Sequence, residues 1–150
     1  MTEQNPLVSV IIPTHNRAEL LTTRAIPSVL NQTYQNFELI IVADRCTDDT
    51  KDRVQKTGDP RIKFVDLTDR PPLPEDLHAR WRVAASAPRN KGFEMAQGEW
   101  ITQIDDDDEF TPDHIEVLLQ NPLLCSFEGY QSVKLPHNLL FLCLFPPQRL

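Results

Sequence analysis

Asp105–Asp106–Asp107–Asp108 and Glu109 close an apolar-rich stretch that runs Gly98–Glu99–Trp100–Ile101–Thr102–Gln103–Ile104. Adjacent carboxylates repel one another, so a folded chain holds them together where a counter-charge is at hand. A hard divalent cation, bound through oxygen and bridging to a phosphate, supplies one. Taken alone, such a run is more often a solvated acidic turn. Two other polar clusters shift the balance: Thr14, His15 and Arg17 follow the apolar Leu7–Ile12, and Asp44 and Arg45 follow the apolar Phe37–Val42. If these stretches are parallel neighbours in one sheet, the clusters meet on the rim formed by the strands' carboxyl ends, where open α/β sheets take nucleotides. Arg89 is placed to reach the same rim. Neither Gly-x-Gly-x-x-Gly nor a P-loop is present, so a diphosphate there has to be held by a metal on carboxylates, with help from arginines.

The elements that would position these residues follow from local pattern. Leu7–Ile12, Phe37–Val42, Ile62–Asp66 and the stretch around Trp100–Ile104 are short and rich in β-branched residues, as buried strands are. Between them, Asn16 is in place to cap a helix over Ala18–Gln32, kinked at Pro27. Thr47 or Asp48 can cap a second helix over Asp49–Lys56, with Gly58 as its stop. A third helix is expected over Arg89–Ala96, ended by Gly98, and a fourth from Thr111–Pro112–Asp113 through Gln120. Asp69–Asp76 is Pro-rich and must be a loop, and Trp81 between Arg80 and Arg82 is read as packing beneath it. Alternating strands and helices predict an α/β fold with a mostly parallel sheet and right-handed crossovers.

The 150 residues make one domain by length, and a net charge of -7 with pI near 5.0 argues against a nucleic-acid partner. Cys46, Cys125 and Cys143 have no metal-ligand spacing and read as reduced thiols. The first residues lack a signal-peptide pattern, and the longest apolar run, Leu139–Phe145, is far short of the roughly 18 residues a membrane span needs. These features predict a cytoplasmic protein, at most membrane-associated, without a transmembrane segment. Arg45 beside Cys46 could activate a thiol, but a plain turn cysteine is the better reading without a histidine or second cysteine at partner spacing. His78 and His114 are read as surface residues.

From about Pro6 to Gln120 the chain resembles a family 2 glycosyltransferase of the GT-A fold. The pieces that carry the resemblance are Val8–Arg17, Ser28–Tyr34 with Phe37–Val42, Asp44 with Thr47–Asp48, Arg89–Gly92, and Gly98–Trp100 running into Ile104–Asp108. The resemblance implies a Rossmann-like nucleotide-binding half with strand order 3-2-1-4. It also implies transfer of a sugar, with inversion, from a nucleotide-diphosphate donor, most commonly a UDP-sugar, to an acceptor the sequence does not name. The nucleotide-binding set it implies is Pro13, Thr14, His15, Arg17, Asp44, Arg89, Asp105 and Asp106. Asp44 would bond the base, and Pro13–His15 would line the base and ribose pocket. Asp105 and Asp107 would form the Asp-x-Asp element, with Asp107 on Mg²⁺ or Mn²⁺ and Asp105 on the ribose side as well as at the metal.

Two departures qualify what the resemblance implies. The family's usual Asp-Asp-Gly-Ser after the second strand is here Ala43–Asp44–Arg45–Cys46, which alters the turn beneath the base. Residues 1–121 read as the nucleotide-sugar-binding domain and 122–150 as an atypical apolar, Pro-containing tail, as a truncated or frame-shifted reading frame would give. Glu128 is the one carboxylate of that tail, and no catalytic base is assigned. Two rival readings stand beside transfer. One is a nucleotide- and metal-binding fragment without transferase activity. The other is a phosphotransferase, which lacks its Asp-x-Asp-x-Thr pattern on a first strand.

Overall fold

The computed structural model describes residues 5–69, 75–78 and 86–120, together with the backbone of 140–141. Its centre is a parallel sheet in the order β3-β2-β1-β4-β5. The strands are β1 (Val8–Thr14), β2 (Phe37–Ala43), β3 (Ile62–Asp66), β4 (Trp100–Gln103) and a two-residue β5 (Leu140–Phe141). The first four stand in the order 3-2-1-4 expected from the sequence, and β5 adds a fifth strand beyond β4. Register pairs Val8 with Phe37 on one side and with Trp100 on the other, so β1 lies at the middle of the sheet.

Every residue of β1 and β2 is buried, which is why both read as near-continuous apolar runs and not as alternating ones. The period of two still divides them between faces. Val8, Val10, Ile12, Leu39 and Ile41 pack with Leu21, Ile26, Val29, Val54 and Ile115 on one face. Ile11, Ile40, Val42 and Ile101 pack with Phe93 and Met95 on the other. Helices therefore cover both faces of the sheet.

The helical run after β1 comprises α1 (Ala18–Leu20), a π-helical turn (Leu21–Ala25) and α2 (Ile26–Leu30). The expected kink at Pro27 takes this form: the Ile26 N–H reaches back to the Leu21 carbonyl, one residue further than in an α-helix. Asn16 does not cap the run. The Ala18 N–H instead donates to Asp48 Oδ2 at 3.1 Å, from the loop after β2. The next helix, α3 (Thr50–Thr57), ends at Gly58, whose φ of +67° is the left-handed conformation of a glycine stop.

The helix on the opposite face, α4 (Ser86–Met95), begins three residues earlier than expected. Gly92 lets it approach β1 closely, since a Cβ there would run into Ile11 Cγ2. Gly98 makes a second close approach: a Cβ would stand 2.7 Å from Leu7 O and from Ser9 N. The last described helix, α5 (His114–Gln120), follows a turn at Pro112–Asp113. Among the described residues no helix is long and apolar enough to cross a membrane. Arg80, Trp81, Arg82, Cys125, Glu128 and Cys143 lie outside the described residues.

Candidate functional site

The carboxyl ends of β1, β2 and β4 meet on one rim and are bonded to one another. Thr14, the last residue of β1, is 3% exposed, and its Oγ1 donates to Asp106 Oδ2 at 2.8 Å. His15 Nδ1 donates to the Asp44 carbonyl oxygen at 2.6 Å, which fixes that nitrogen as the protonated one. Asn16 and Arg45 both take positive φ, 52° and 53°. The two turns are stitched together, with the Thr47 N–H on Asn16 Oδ1 at 2.7 Å and the Asn16 N–H on Cys46 Sγ at 3.3 Å. Asn16 is therefore a turn-maker where a helix cap was expected. Cys46 fits the plain-turn reading, because burial pushes its thiol up, away from the activated range.

Asp44 is 4% exposed at the end of β2, and Arg45 Nε stands 3.5 Å from its Oδ1. The Arg45 backbone N–H donates to Asp66 Oδ1 at 3.1 Å, which holds this turn against the end of β3. Arg45 occupies a left-handed position that glycine adopts without cost and an L side chain rarely does, so the residue standing where the family has glycine carries backbone strain.

The four aspartates, alike in sequence, differ in place. Asp106 points inward: it is 7% exposed and accepts from Thr14 and, at 3.3 Å, from Arg17 Nη1. Burial pushes its carboxyl above the ordinary range, against the pull of Thr14 and Arg17. Asp105 is exposed and pairs with Arg89 Nη2 at 2.7 Å, while Asp107 pairs with Arg17 Nη1. The Asp108 carboxyl is pushed up by burial and then by the charges of Asp107 and Asp105. Glu109 pairs with Arg24 Nε at 2.7 Å, from the π-helical turn. Among the described residues no group of three or more His, Cys, Asp or Glu side chains is arranged to hold a metal ion.

Behind the rim, the acidic loop is anchored to the end of the first helical run. Gln32, 1% exposed, donates from Nε2 to the Thr111 carbonyl at 2.6 Å and accepts the Ile115 N–H on Oε1 at 3.0 Å. Ser28 Oγ accepts the Phe110 N–H at 3.1 Å. His114 is not a surface residue: it is half-buried and stacked on Phe110 with centroids 3.9 Å apart, and burial lowers its pKa. His78 is exposed, as expected.

The rim thus gathers Pro13, Thr14, His15, Arg17, Asp44, Arg89 and Asp105–Asp107, all read from the sequence. Sequence reasoning missed Arg24 as a partner of the acidic loop, Asp48 as the helix cap, and Gln32 and Ser28 as anchors of the loop. Gln32 and Ser28 do lie within Ser28–Tyr34, one of the quoted motif pieces, so a signal for them was present. Asp48 likewise belongs to the quoted piece Thr47–Asp48 and was read as a cap, but of the following helix and not of the one before it, while Arg24 lies in no quoted piece and meets Glu109 from 85 residues away.

Among curated proteins, the chain is 42% identical over 119 residues to WcaA of Escherichia coli (strain K12), whose name assigns it to glycosyl transfer in colanic acid biosynthesis; the match covers 78% of this chain and 38% of that protein. It is 35% identical over 130 residues to the GalNAc(5)-diNAcBac-PP-undecaprenol beta-1,3-glucosyltransferase of Campylobacter jejuni, covering 85% and 37%. The chain thus spans less than two fifths of the length of either relative. Among solved structures, S. aureus TarS 1-349 in complex with UDP superposes with a TM-score of 0.62 at 26% identity, covering 79% of this chain and 32% of that one. The mannosyltransferase PcManGT of Pyrobaculum calidifontis, in complex with GDP-Man and Mn²⁺, superposes with a TM-score of 0.55 at 25% identity, covering 72% and 29%. The family model of glycosyl transferase family 2 matches residues 9–121, and the chain belongs to that family.

Proposed function

We propose that the rim binds the nucleotide-diphosphate moiety of an activated sugar together with Mg²⁺ or Mn²⁺, and that the chain serves inverting transfer of that sugar to an acceptor. One observation carries the reading: Thr14, His15, Asp44, Arg17, Arg89 and Asp105–Asp107 share a single hydrogen-bonded rim at the carboxyl ends of β1, β2 and β4. The UDP and GDP-Man seen in the two structural neighbours support a nucleotide there, with a UDP-sugar the first donor to test. Residues 1–121 form the donor-binding domain in this reading, and of 122–150 the described Leu140–Phe141 add an edge strand to its sheet. The end of the family match at residue 121 supports that boundary.

The donor set suits a magnesium-type ion. Asp105 and Asp107 offer hard oxygens with side chains 51% and 45% exposed, either side of the buried Asp106. An ion that takes one or two carboxylates and completes its shell with water and phosphate needs no larger cage. When bound, such an ion offsets negative charge on the departing diphosphate. Asp44 accepts an N–H of the base, and Pro13–His15 wall the base and ribose. Asp105 serves the ribose side as well. Asp106 acts from beneath, holding Thr14 and Arg17 in place, and Arg17 and Arg89 donate to the diphosphate.

A second reading is binding of nucleotide and metal without transfer. A screen of nucleotide sugars with Mn²⁺ and mixed acceptors, reading free nucleotide and glycosylated product separately, distinguishes the two. Metal-dependent release of nucleotide is expected. Product in the same reaction supports transfer, release without product supports the second reading, and no release or binding of any donor contradicts both.

A further inference from the structure

The acidic loop already has cations on it. Arg89 Nη2 pairs with Asp105 at 2.7 Å, Arg17 Nη1 with Asp107, and Arg24 Nε with Glu109 at 2.7 Å. Two of these three occupy the carboxylates assigned above to the metal. Arg17 is held twice over, because the same nitrogen reaches Asp106 at 3.3 Å, and Asp106 is buried and bonded to Thr14. The contacts to Asp105 and Asp107 are half-exposed and screened by water, so a ligand can exchange them. The contact to Asp106 lies deeper and can serve as a pivot.

A divalent ion arriving alone must displace Arg17 from Asp107 and Arg89 from Asp105. That would leave Arg17 with Asp106 alone and Arg89 without its carboxylate, both beside a new cation. A diphosphate arriving with the ion removes the penalty, since each freed guanidinium finds a phosphate oxygen, the partner its planar fork suits best. We propose that Arg17 and Arg89 are resident counter-ions that yield the acidic loop only to a metal–diphosphate pair, and so determine that ion and diphosphate bind together. This rests on the nucleotide-site reading above, and makes the two arginines selective for the pair over either component. Arg17 keeps Asp106 throughout and swings from Asp107 to the diphosphate.

The test is a titration of the whole chain with Mn²⁺, following free ion by its paramagnetic resonance signal, with and without UDP. Wild type, Arg17→Gln, Arg17→Lys and Arg53→Gln are compared. Arg53 pairs with Asp49 at 2.8 Å on α3 and controls for net charge. Arg17 is half-exposed, so its substitution should leave the fold standing. In wild type, UDP should tighten Mn²⁺ binding by at least about tenfold, an ordinary coupling between sites. In Arg17→Gln, Mn²⁺ alone should bind several-fold tighter than to wild type, and the coupling should fall about tenfold. Arg17→Lys, which keeps the charge without the fork, should lie between, and Arg53→Gln should match wild type. Unchanged coupling in Arg17→Gln, or an equal change in Arg53→Gln, overturns the role of Arg17 while leaving the nucleotide site standing. Failure of wild type to bind UDP with Mn²⁺ at all overturns the site itself and this proposal with it.

Discussion

Asp44 and Asp106 are both buried carboxylates at strand ends, yet they have different work. Asp106 meets Thr14 and Arg17 inside the protein, whereas Asp44 lies in the turn that faces the rim. Asp44→Asn should weaken binding of UDP with metal by about 1–3 kcal/mol, the usual cost of a lost charge-assisted bond. Binding of pyrophosphate with metal should hardly change, because that end of the ligand is held elsewhere. Calorimetry with both ligands checks this, and equal weakening would make Asp44 a support of the turn. At this scale the sequence was legible by residue type and by rim position. Which of four identical aspartates turns inward was not, because that depends on Thr14 and Arg17, some ninety positions earlier.

At the scale of elements, two devices set the site's platform from the far side. Gly92 brings α4, which carries Arg89, down onto β1. Gly92→Ala should destabilise the fold by about 1–3 kcal/mol through overpacking against Ile11, despite the helix propensity gained. A lowered urea midpoint is the expected reading; an unchanged or raised one would show that Ile11 gives way. The second device is Glu38, 6% exposed, which accepts from Ser9 Oγ at 2.5 Å, the Gln97 N–H at 2.6 Å and Lys63 Nζ at 2.5 Å. These tie β1, β2, β3 and the turn before β4 together. Burial alone would raise the Glu38 carboxyl, but the bonds from Lys63, Ser9 and Gln97 outweigh it and hold the group below its ordinary 4.5. Because the folded form binds its proton more weakly than the unfolded one, this contribution is present above about pH 4.5 and is lost as pH falls through the lowered value. Glu38→Gln should cost about 1–3 kcal/mol at neutral pH and flatten the loss of stability in acid, without altering nucleotide binding. Denaturation curves across pH read both effects.

Element type was written in local pattern: β-branched apolar runs for strands, Gly58 for a helix stop, Pro27 for a distortion. What was hidden came from tertiary partners. Asn16 looked like a helix cap, yet the first helical run is capped by Asp48 from the next loop. Pro27 marked a break, and the π-helical turn stands just before it, with Leu21, Ile26 and Val29 packed in the core.

At the scale of the molecule, the chain is a parallel sheet whose carboxyl rim presents acid and arginine together. Its membership of glycosyl transferase family 2 rests on a match spanning residues 9–121. On the proposed function, the acidic loop takes a divalent ion in company with a nucleoside diphosphate, and Asp107 carries the ion. Titration calorimetry of UDP in the presence of Mn²⁺, on wild type and on Asp107→Ala, tests this most directly. Asp107 is half-exposed and its pair with Arg17 is screened by water, so the variant should fold about as well as wild type. Wild type should bind UDP in a metal-dependent way, and Asp107→Ala should lose that dependence. Metal-dependent affinity that is the same in both proteins would contradict the role of Asp107.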